Sequence, residues 1–317
     1  MKKEKIMLIG AAILDVLVHP AGPQVFQTGS YPAEEIRMST GGDALNEAGV
    51  LAKLGESPLL CTLLGEDEPA QIIETYCKEK GISLQYSRKR AGIPTGMNVV
   101  LVDEEGNRSF LTNRNGTLRK LSREDIPLPF PEEVKILGFA SIFVSPLLGV
   151  KEMAEIFRAA KEQDIIVCAD MTKCKQGETA EDLREALAYV DYLMPNEEEA
   201  LLVTQKTSPE EAVEEFLRQG VKNVIIKCGK RGCLVGNRRE LFWVPAIVQK
   251  DCVDTTGAGD SFAGGFLYSL LQGKTLKDCA RFANACGAAA VRKVGATEGI
   301  ESREQIEEIL NNADGQI

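Results

Sequence analysis

Residues 254–260 of the chain read Asp-Thr-Thr-Gly-Ala-Gly-Asp and run directly into SFAGGFLYSLL, residues 261–271. The second stretch has the apolar pattern of a buried helix, so the first is the loop that precedes it. Gly257 and Gly259 permit a tight turn that points successive N–H groups into one concavity, and the helix start adds its positive dipole end. Such a concavity suits phosphate oxygens. Asp260 places a carboxylate beside it, able to accept a proton from a hydroxyl.

A second glycine-rich turn, GGDALNEAGVLAKLG at residues 41–55, opens another helix. Gly41 and Gly42 let a ligand approach the backbone closely. Asn46, in the first helical turn, can donate hydrogen bonds to hydroxyl groups and accept them. Taken alone, each motif also fits an ordinary turn, because Asp260 can simply complete a helix start. Their occurrence together favours a binding site.

The order of apolar segments predicts the fold. From about residue 117 onward, apolar runs alternate with amphipathic stretches: KILGFASIFV, VKEMAEIFRAAKEQ, IIVCAD, EDLREALAYV and DYLMP. This alternation is that of βαβ units and predicts a doubly wound, mostly parallel α/β sheet with helices on both faces. Two other segments are extended and turn-rich, and the second of them is a hairpin with the turn EEGN at 104–107. We therefore predict a core of residues 1–11, 39–93 and 116–317 and a small β-sheet lid of residues 12–38 and 94–115.

Composition narrows the class of protein. The 317 residues are 44% hydrophobic and 26% charged, as in an ordinary globular protein. A net charge of −10 and a pI near 5.0 disfavour nucleic acid and anionic membranes as partners. The nine cysteines form no CxxC pair and are odd in number, which indicates free thiols in a reducing, cytoplasmic compartment. His19 is the single histidine, which argues against Ser-His-Asp chemistry and histidine-rich zinc sites.

Residues 254–260 match the DTxGAGD signature of the ribokinase-like (PfkB) carbohydrate kinases, and residues 41–46 fall where that family has its substrate-binding glycine pair and asparagine. Further matches extend the resemblance over nearly the whole chain. It implies the ribokinase-like fold and an ATP-dependent kinase that transfers the γ-phosphate to a hydroxyl of a small sugar-like molecule. In this scheme Asp260 is the general base, and the backbone of Gly257, Ala258 and Gly259 forms the anion hole.

The resemblance also assigns residues to each ligand. The residues expected to bind the sugar are Asp15, Gly41, Gly42, Asp43, Asn46 and Asn98. Those expected to bind ATP are Asn196, Lys227, Gly229, Gly232, Gly257, Gly259 and Asn284. Glu199 is expected to hold Mg²⁺ through a water molecule. A K⁺ site is implied at Asp254, Thr256, Ala290 and Gly295, although Gly299 stands where the family's serine ligand is expected.

Basic residues near the expected acceptor site bear on which sugar is used. Arg108 and Arg114 lie at the end of the lid hairpin, and Lys173 follows the core strand that ends at Asp170. Most surface arginines are merely solvated, but a guanidinium group is a planar fork suited to a carboxylate. The GGDALN turn, which contains Asp43, also resembles that of the ketodeoxygluconate kinases in this family. We therefore expect a keto- or acid-sugar acceptor, with Arg114 or Lys173 meeting the carboxylate.

Two other functions on this fold stay open, a nucleoside kinase and a catalytically silent sugar- or nucleotide-binding regulator. A regulator would have no chemical need for Asp260. Two further motifs are rejected, because Tyr268 stands where a Walker A loop needs glycine and Phe262 stands where a dinucleotide fingerprint needs its third glycine.

The exposed sheet face of the lid requires a cover, and similar kinases often cover it with a second subunit. We accordingly expect a homodimer formed through the lid.

Overall fold

A computed structural model describes residues 4–105, 107–247 and 252–314. Within these ranges the chain forms fourteen strands. In chain order they are β1 (Lys5–Ile9), β2 (Ile13–His19), β3 (Glu35–Gly41), β4 (Leu59–Cys61), β5 (Leu63–Leu64), β6 (Arg88–Lys89), β7 (Met97–Val102), β8 (Arg108–Thr112), β9 (Val134–Ile142), β10 (Ile166–Met171), β11 (Tyr192–Leu193), β12 (Asn223–Lys227), β13 (Cys233–Asn237) and β14 (Leu241–Val244).

The described residues also form nine α-helices. They are α1 (Asp43–Lys53), α2 (Glu68–Lys80), α3 (Val150–Glu162), α4 (Arg184–Leu187), α5 (Glu197–Thr204), α6 (Pro209–Arg218), α7 (Ala258–Leu271), α8 (Leu276–Ala290) and α9 (Arg303–Asp314). Several begin where side chains satisfy the free N–H groups of the first turn. Ser208, for example, accepts a hydrogen bond from the backbone N–H of Glu211, and Pro209 occupies the first helical turn.

The main sheet has eight strands in the order β14-β13-β12-β11-β10-β9-β1-β4. The strands from β12 to β4 pair in parallel, and β13 and β14 add an antiparallel edge. Both faces of the sheet are buried. In β1, Met7 and Ile9 pack into one apolar cluster with α3 and α6, while Ile6 and Leu8 pack into a second with α1, α7 and α8. The sheet is therefore sandwiched between two helical layers, as doubly wound folds require.

A separate four-stranded sheet has the order β3-β2-β7-β8 and forms the lid. Asp15 lies opposite Asn98, and Asn98 lies opposite Thr112, so these side chains share one face. Val16, Met38 and Leu111 point from the other face. The face with Asp15 therefore carries a polar row among apolar residues such as Leu17, Val100 and Phe110, and the other face is mainly apolar.

The predicted fold class is confirmed, with a mostly parallel core and a small separate sheet. Details differ. The lid strand β3 continues through Gly41, beyond the predicted boundary at residue 38, because Gly41 pairs with Ile13. The helix expected from EDLREALAYV is the single turn α4, since the segment is closed by i→i+3 bonds such as that from the N–H of Tyr189 to the carbonyl of Ala186. Gly106 of the predicted EEGN turn lies outside the described residues.

All nine cysteines are free, as expected, and seven of them are buried. Burial raises the pKa of the Cys61 thiol to about 12, so this thiol stays protonated and unreactive. Among the described residues no helix is both long and apolar enough to cross a membrane.

Candidate active site

A cavity of 660 Å³ lies where core strands end and helices begin. Its walls come from the ends of β9, β10 and β12 and from the first turns of α1, α5 and α7, which is where open parallel sheets bind ligands. Polar side chains from separate parts of the sequence meet here. Those lining the cavity include Asp43, Ser141, Asp170, Asn196, Glu199, Lys227, Asp260 and Asn284.

The glycine-rich loop adopts the backbone that its sequence predicts. Gly257 has φ 69° and caps α7, and a Cβ there would lie 2.0 Å from the carbonyl oxygen of Ala296. A larger residue would therefore need both a strained backbone and a displaced neighbour. Gly257 places the first turn of α7 against the cavity, whose wall includes Ala258, Gly259 and Asp260, and the N–H of Ala258 donates to the carbonyl of Thr255 over 3.3 Å. This is the geometry of an anion site at a helix N-terminus.

Asp260 links the two glycine motifs. The side-chain amide of Asn46 donates to its carboxylate, Nδ2 to Oδ2, over 2.7 Å, across 214 positions of sequence. Desolvation raises the pKa of Asp260 to about 8, and the nearby Asp43 and Asp170 carboxylates add to the rise, while the bond from Asn46 opposes it. A carboxyl with a pKa near neutrality is suited to take a proton during a reaction.

A second carboxylate, Asp170, is the penultimate residue of the apolar strand β10 and forms an ion pair with Lys227 at the end of β12. Burial would lower the pKa of Lys227, but the charges of Asp170 and Glu199 outweigh burial and raise it. The lysine therefore stays charged in the cavity wall. It gives this acidic protein a local cation for an anionic ligand.

The first turn of α1 lies behind Asp260. Gly42 has φ 96°, and a Cβ there would lie 2.6 Å from the carbonyl oxygen of Ala11, so the turn requires glycine. Asp43 accepts a hydrogen bond from the hydroxyl of Ser141. Glu47 is buried, and its Oε1 atom has no hydrogen-bond partner among the described residues. Burial raises the pKa of Glu47 well above its usual range, and the charges of Asp170 and Asp260 reinforce this, so the side chain is held neutral.

The polar row of the lid faces this site. Asn98 donates from Nδ2 to Oδ1 of Asp15 over 2.9 Å, and the Thr112 hydroxyl donates to Oδ1 of Asn98 over 2.8 Å. A Cβ on Gly41 would lie 2.1 Å from Oδ2 of Asp15, so the glycine leaves room for that carboxylate. Desolvation raises the pKa of Asp15, and the nearby Asp43 carboxylate also raises it. The Asp43 carboxylate therefore raises the pKa of both Asp15 and Asp260.

The predicted nucleotide residues lie along the other side of the cavity. Asn196 and Glu199 form a capping box at α5, in which Glu199 N donates to Asn196 Oδ1 over 2.9 Å and Asn196 N donates to Glu199 Oε2 over 2.8 Å. Burial raises the pKa of Glu199 to about 7. Asn284 donates to the carbonyl oxygens of Val244 and Pro245 over 3.2 and 3.1 Å. Gly229 and Gly232 line the same wall and have positive φ angles.

The residues implied to hold K⁺ are engaged within the protein. Oδ1 of Asp254 accepts bonds from the backbone N–H and hydroxyl of Thr256, at 3.0 and 2.6 Å, and Oδ2 accepts from Gly295 N at 3.0 Å. Arg108 also forms an ion pair with Oδ1 of Asp254, at 2.8 Å. A Cβ on Gly299 would lie 2.7 Å from the carbonyl oxygen of Ala290, which leaves no space for a serine ligand.

Two predicted acceptor residues lie elsewhere. Lys173 is exposed and forms an ion pair with Glu198, with Nζ 2.5 Å from Oε1. It is absent from the described lining of the 660 Å³ cavity. Arg114 lines a second cavity of 620 Å³ together with Thr112, Arg119 and Lys120. Through Thr112 and Asn98, this basic cavity continues the polar row that begins at Asp15.

Sequence reasoning assigned no role to Asp170, Ser141 or Glu47, and it did not pair Arg108 with Asp254. A signal existed for Asp170, because it closes the apolar run IIVCAD and the carboxyl ends of parallel strands meet at one edge of a sheet. Ser141 lies within an apolar strand, and Glu47 lies in a helix, and neither pattern distinguishes them from ordinary polar residues.

A carboxylate beside a glycine-rich helix start is suited to phosphoryl transfer to a hydroxyl. The chain matches the description "pfkB family carbohydrate kinase" over residues 3–303, and it belongs to that family. Family membership shows the class of enzyme, a phosphotransferase with an alcohol group as acceptor. It is similar to a cytidine kinase from Thermococcus kodakarensis, with 28% identity over 280 residues covering 87% of this chain and 92% of the relative.

Two solved structures share the fold. One is a ribokinase from Thermotoga maritima, with a TM-score of 0.81 and 28% identity, covering 98% of this chain and 100% of the other. The second is a ribokinase of Arabidopsis thaliana complexed with ribose and ATP, with a TM-score of 0.82 and 24% identity, covering 97% and 99%. The relatives act on sugars and on a nucleoside, so family membership establishes the type of reaction and leaves the acceptor open.

Proposed function

We propose that the enzyme transfers the γ-phosphoryl group of ATP to a hydroxyl of a small monosaccharide, with Asp260 as the general base. The observation that carries this proposal is the position of Asp260, which shares a hydrogen bond with Asn46 from the sugar-binding motif and stands at the anion site of α7. The base thus lies where an acceptor hydroxyl and the phosphoryl group would meet. The backbone N–H groups of Gly257–Asp260 stabilise the charge that develops on the transferred group.

ATP is proposed to occupy the 660 Å³ cavity. Lys227 supplies the positive charge near the phosphates, while Asn196, Gly229 and Gly232 shape the wall beside them. The side chain of Asn284 holds the backbone at Val244 and Pro245, which would lie beside the adenine ring of ATP. The Arabidopsis thaliana ribokinase with bound ribose and ATP has the same fold, which supports this arrangement.

Magnesium is proposed to enter with the nucleotide. The described residues contain no group of three or more histidine, cysteine, aspartate or glutamate side chains placed to hold a metal ion. This fits Mg²⁺, which keeps several waters and binds through phosphate oxygens and one or two carboxylates. Glu199 lines the cavity, and its carboxylate is oriented by Asn196, so it would hold the ion through water.

The proposed acceptor is a keto- or acid sugar. Asp15, Asn98 and Asn46 offer hydrogen bonds to hydroxyl groups, and the lid row leads to Arg114. Arg114, Arg119 and Lys120 form no ion pair with any residue in the described part of the chain, so their charges are available to a carboxylate. Lys173 is already paired with Glu198, which favours Arg114 as the partner.

The experiment is an ATP-consumption assay with ribose, fructose, tagatose, adenosine, cytidine, 2-keto-3-deoxygluconate and hexuronates. We expect the highest kcat/KM with an acid or keto sugar, and a selective loss for the acid sugar in Arg114→Ala. Lys173→Ala is the matched control and should leave this preference unchanged. A nucleoside as best acceptor would favour the nucleoside kinase. A lack of turnover with every acceptor, together with saturable sugar binding, would favour a silent regulator.

The outer face of the lid is proposed to form a homodimer. Ile36, Met38 and Leu111 are 69, 64 and 56% exposed, and with Val16 and Val99 they form an apolar surface on the side opposite Asp15. A second copy of the same face would cover this surface and satisfy the sheet. Light scattering should give twice the chain mass, and Met38→Glu should shift it toward the monomer. A wild-type monomer at micromolar concentration would refute the dimer.

A further inference from the structure

An ion pair joins the lid to the glycine-rich loop of residues 254–257, which we call the anion loop. Arg108 is the first residue of β8, and its Nη2 donates to Oδ1 of Asp254 over 2.8 Å, while Nη1 donates to the Thr256 hydroxyl. The partners are 146 and 148 positions apart in sequence. Residues 108 and 112 share one face of β8, and Thr112 belongs to the polar row with Asp15, so Arg108 projects from the acceptor side of the lid.

The contact reaches a carboxylate that shapes the anion loop. Asp254 binds Thr256 within the loop and Gly295 in the segment after α8, and its side chain is 9% exposed. The guanidinium group of Arg108 therefore lies against a carboxylate whose two oxygens are already held by Thr256 and Gly295.

The residues implied by the family do not fit a monovalent cation here. The guanidinium group of Arg108 already lies against the Asp254 carboxylate, and a second cation beside it would be repelled. The Asp254 oxygens accept bonds from protein donors, and Gly299 lies against the Ala290 carbonyl without room for a side chain. No step of the reaction is assigned to K⁺.

We propose that Arg108 is the cation of this site, a positioning residue that fixes the loop of residues 254–257 when the lid is closed. The planar guanidinium group donates one hydrogen bond to the Asp254 carboxylate and one to the Thr256 hydroxyl. A spherical ion has no hydrogen-bond donors and cannot replace these two directed bonds. The acceptor binds under the same lid, so acceptor binding and the ordering of the anion loop are coupled through Arg108. This inference rests on the proposed role of Gly257–Asp260 as the anion site.

The experiment compares kcat and KM for wild type, Arg108→Ala and Arg108→Lys in potassium chloride, tetramethylammonium chloride and guanidinium chloride at equal ionic strength. Wild type should change less than about twofold among the salts. Arg108→Ala should lose about 10- to 100-fold in kcat in tetramethylammonium, and guanidinium should restore part of it while K⁺ should not. Arg108→Lys should fall between them because it keeps the charge without the fork. Arg37→Ala, a lid arginine paired with Glu35, is the matched control.

The outcomes separate this inference from the proposed function. A wild type that requires K⁺, an Arg108→Ala variant with normal kcat, or a folded Arg108→Ala variant that guanidinium does not restore would each overturn the role of Arg108. Thermal unfolding of every variant shows whether it folds, and Arg108→Lys keeps the test valid should Arg108→Ala fail to do so. The anion-site role fails on a separate result, namely full turnover in Asp260→Asn.

Discussion

The raised pKa of Asp260 makes a prediction about stability as well as catalysis. The carboxyl moves from a pKa of 3.8 in the unfolded chain to about 8 in the folded protein. Between these values the unfolded chain releases the proton and the folded chain retains it, so folding stability falls as pH rises from about 4 to about 8. Asparagine cannot ionise and can occupy the same space. Asp260→Asn should therefore stabilise the protein, and increasingly so as pH rises.

The magnitude follows from the shift. Four pKa units correspond to about 6 kcal/mol at most, since one unit equals about 1.36 kcal/mol. Asp260 lines an open cavity and remains partly accessible to solvent, and part of its raised pKa is due to the charge of Asp43. Both facts reduce the stability gain below about 6 kcal/mol. We expect a gain of about 2 kcal/mol at pH 8 and less than half of it at pH 5. Turnover should fall by about 10² to 10⁴ in the same variant.

The assay is urea or thermal unfolding of wild type and Asp260→Asn at pH 5 and pH 8 without ligands. The control is Asp67→Asn. Asp67 caps α2 and accepts bonds from Thr95 and Ala70. Desolvation is the largest single influence on its pKa and raises it, but these hydrogen bonds together outweigh desolvation and lower the pKa. Its carboxylate therefore stabilises the fold above pH 4, so Asp67→Asn should cost similar stability at both pH values. If Asp260→Asn changed the free energy of unfolding equally at pH 5 and pH 8, the claim that desolvation raises the pKa of Asp260 would be refuted.

Three further predictions concern the acceptor side and the glycine turns. Asp15→Ala should raise the acceptor KM with little change in ATP affinity, because its partner is a sugar hydroxyl; a defect in ATP affinity alone would contradict this. Saturating acceptor should slow amide hydrogen exchange in β7 and β8 as the lid closes, and unchanged exchange would indicate a rigid, open site. Gly42→Ala should cost about 2 kcal/mol or more in the free energy of unfolding, because its Cβ would lie 2.6 Å from the Ala11 carbonyl; Gly81→Ala, with a similar φ and open space, should cost clearly less.

The glycine motifs were predictable because their chemistry leaves little freedom. Gly42 and Gly257 have positive φ angles, and a Cβ on either residue would lie within 2.6 Å of a neighbouring carbonyl oxygen. A sequence that adopts these turns must therefore contain glycine at both positions. The alternation of apolar and amphipathic segments predicted the layered core for a similar reason, since strands buried on both faces require continuous apolar runs.

The partners of charged residues were less predictable. Lys173 follows β10, as the sequence indicates, but its side chain pairs with Glu198 in the first turn of α5. Sequence order gives the end of the strand and leaves the direction of a long, flexible side chain undetermined. Arg108 presents the same difficulty, because its partner Asp254 is 146 residues away and comes within reach after the lid folds over the core.

The carboxyl groups of the cavity bear on why the proposed function includes magnesium. Asp43, Asp170, Glu199 and Asp260 line one cavity in a protein of net charge −10, and Lys227 is charged among them. An ATP tetra-anion entering this cavity would be repelled unless some carboxyls hold protons or a divalent cation accompanies it. Burial raises the pKa of Glu199 to about 7 and that of Asp260 to about 8, which favours the protonated carboxyl over an added negative charge in the cavity. Under the proposed function, Glu199 would hold the divalent cation through water, and a positive charge beside Asp260 would favour its ionised form, the form that accepts a proton.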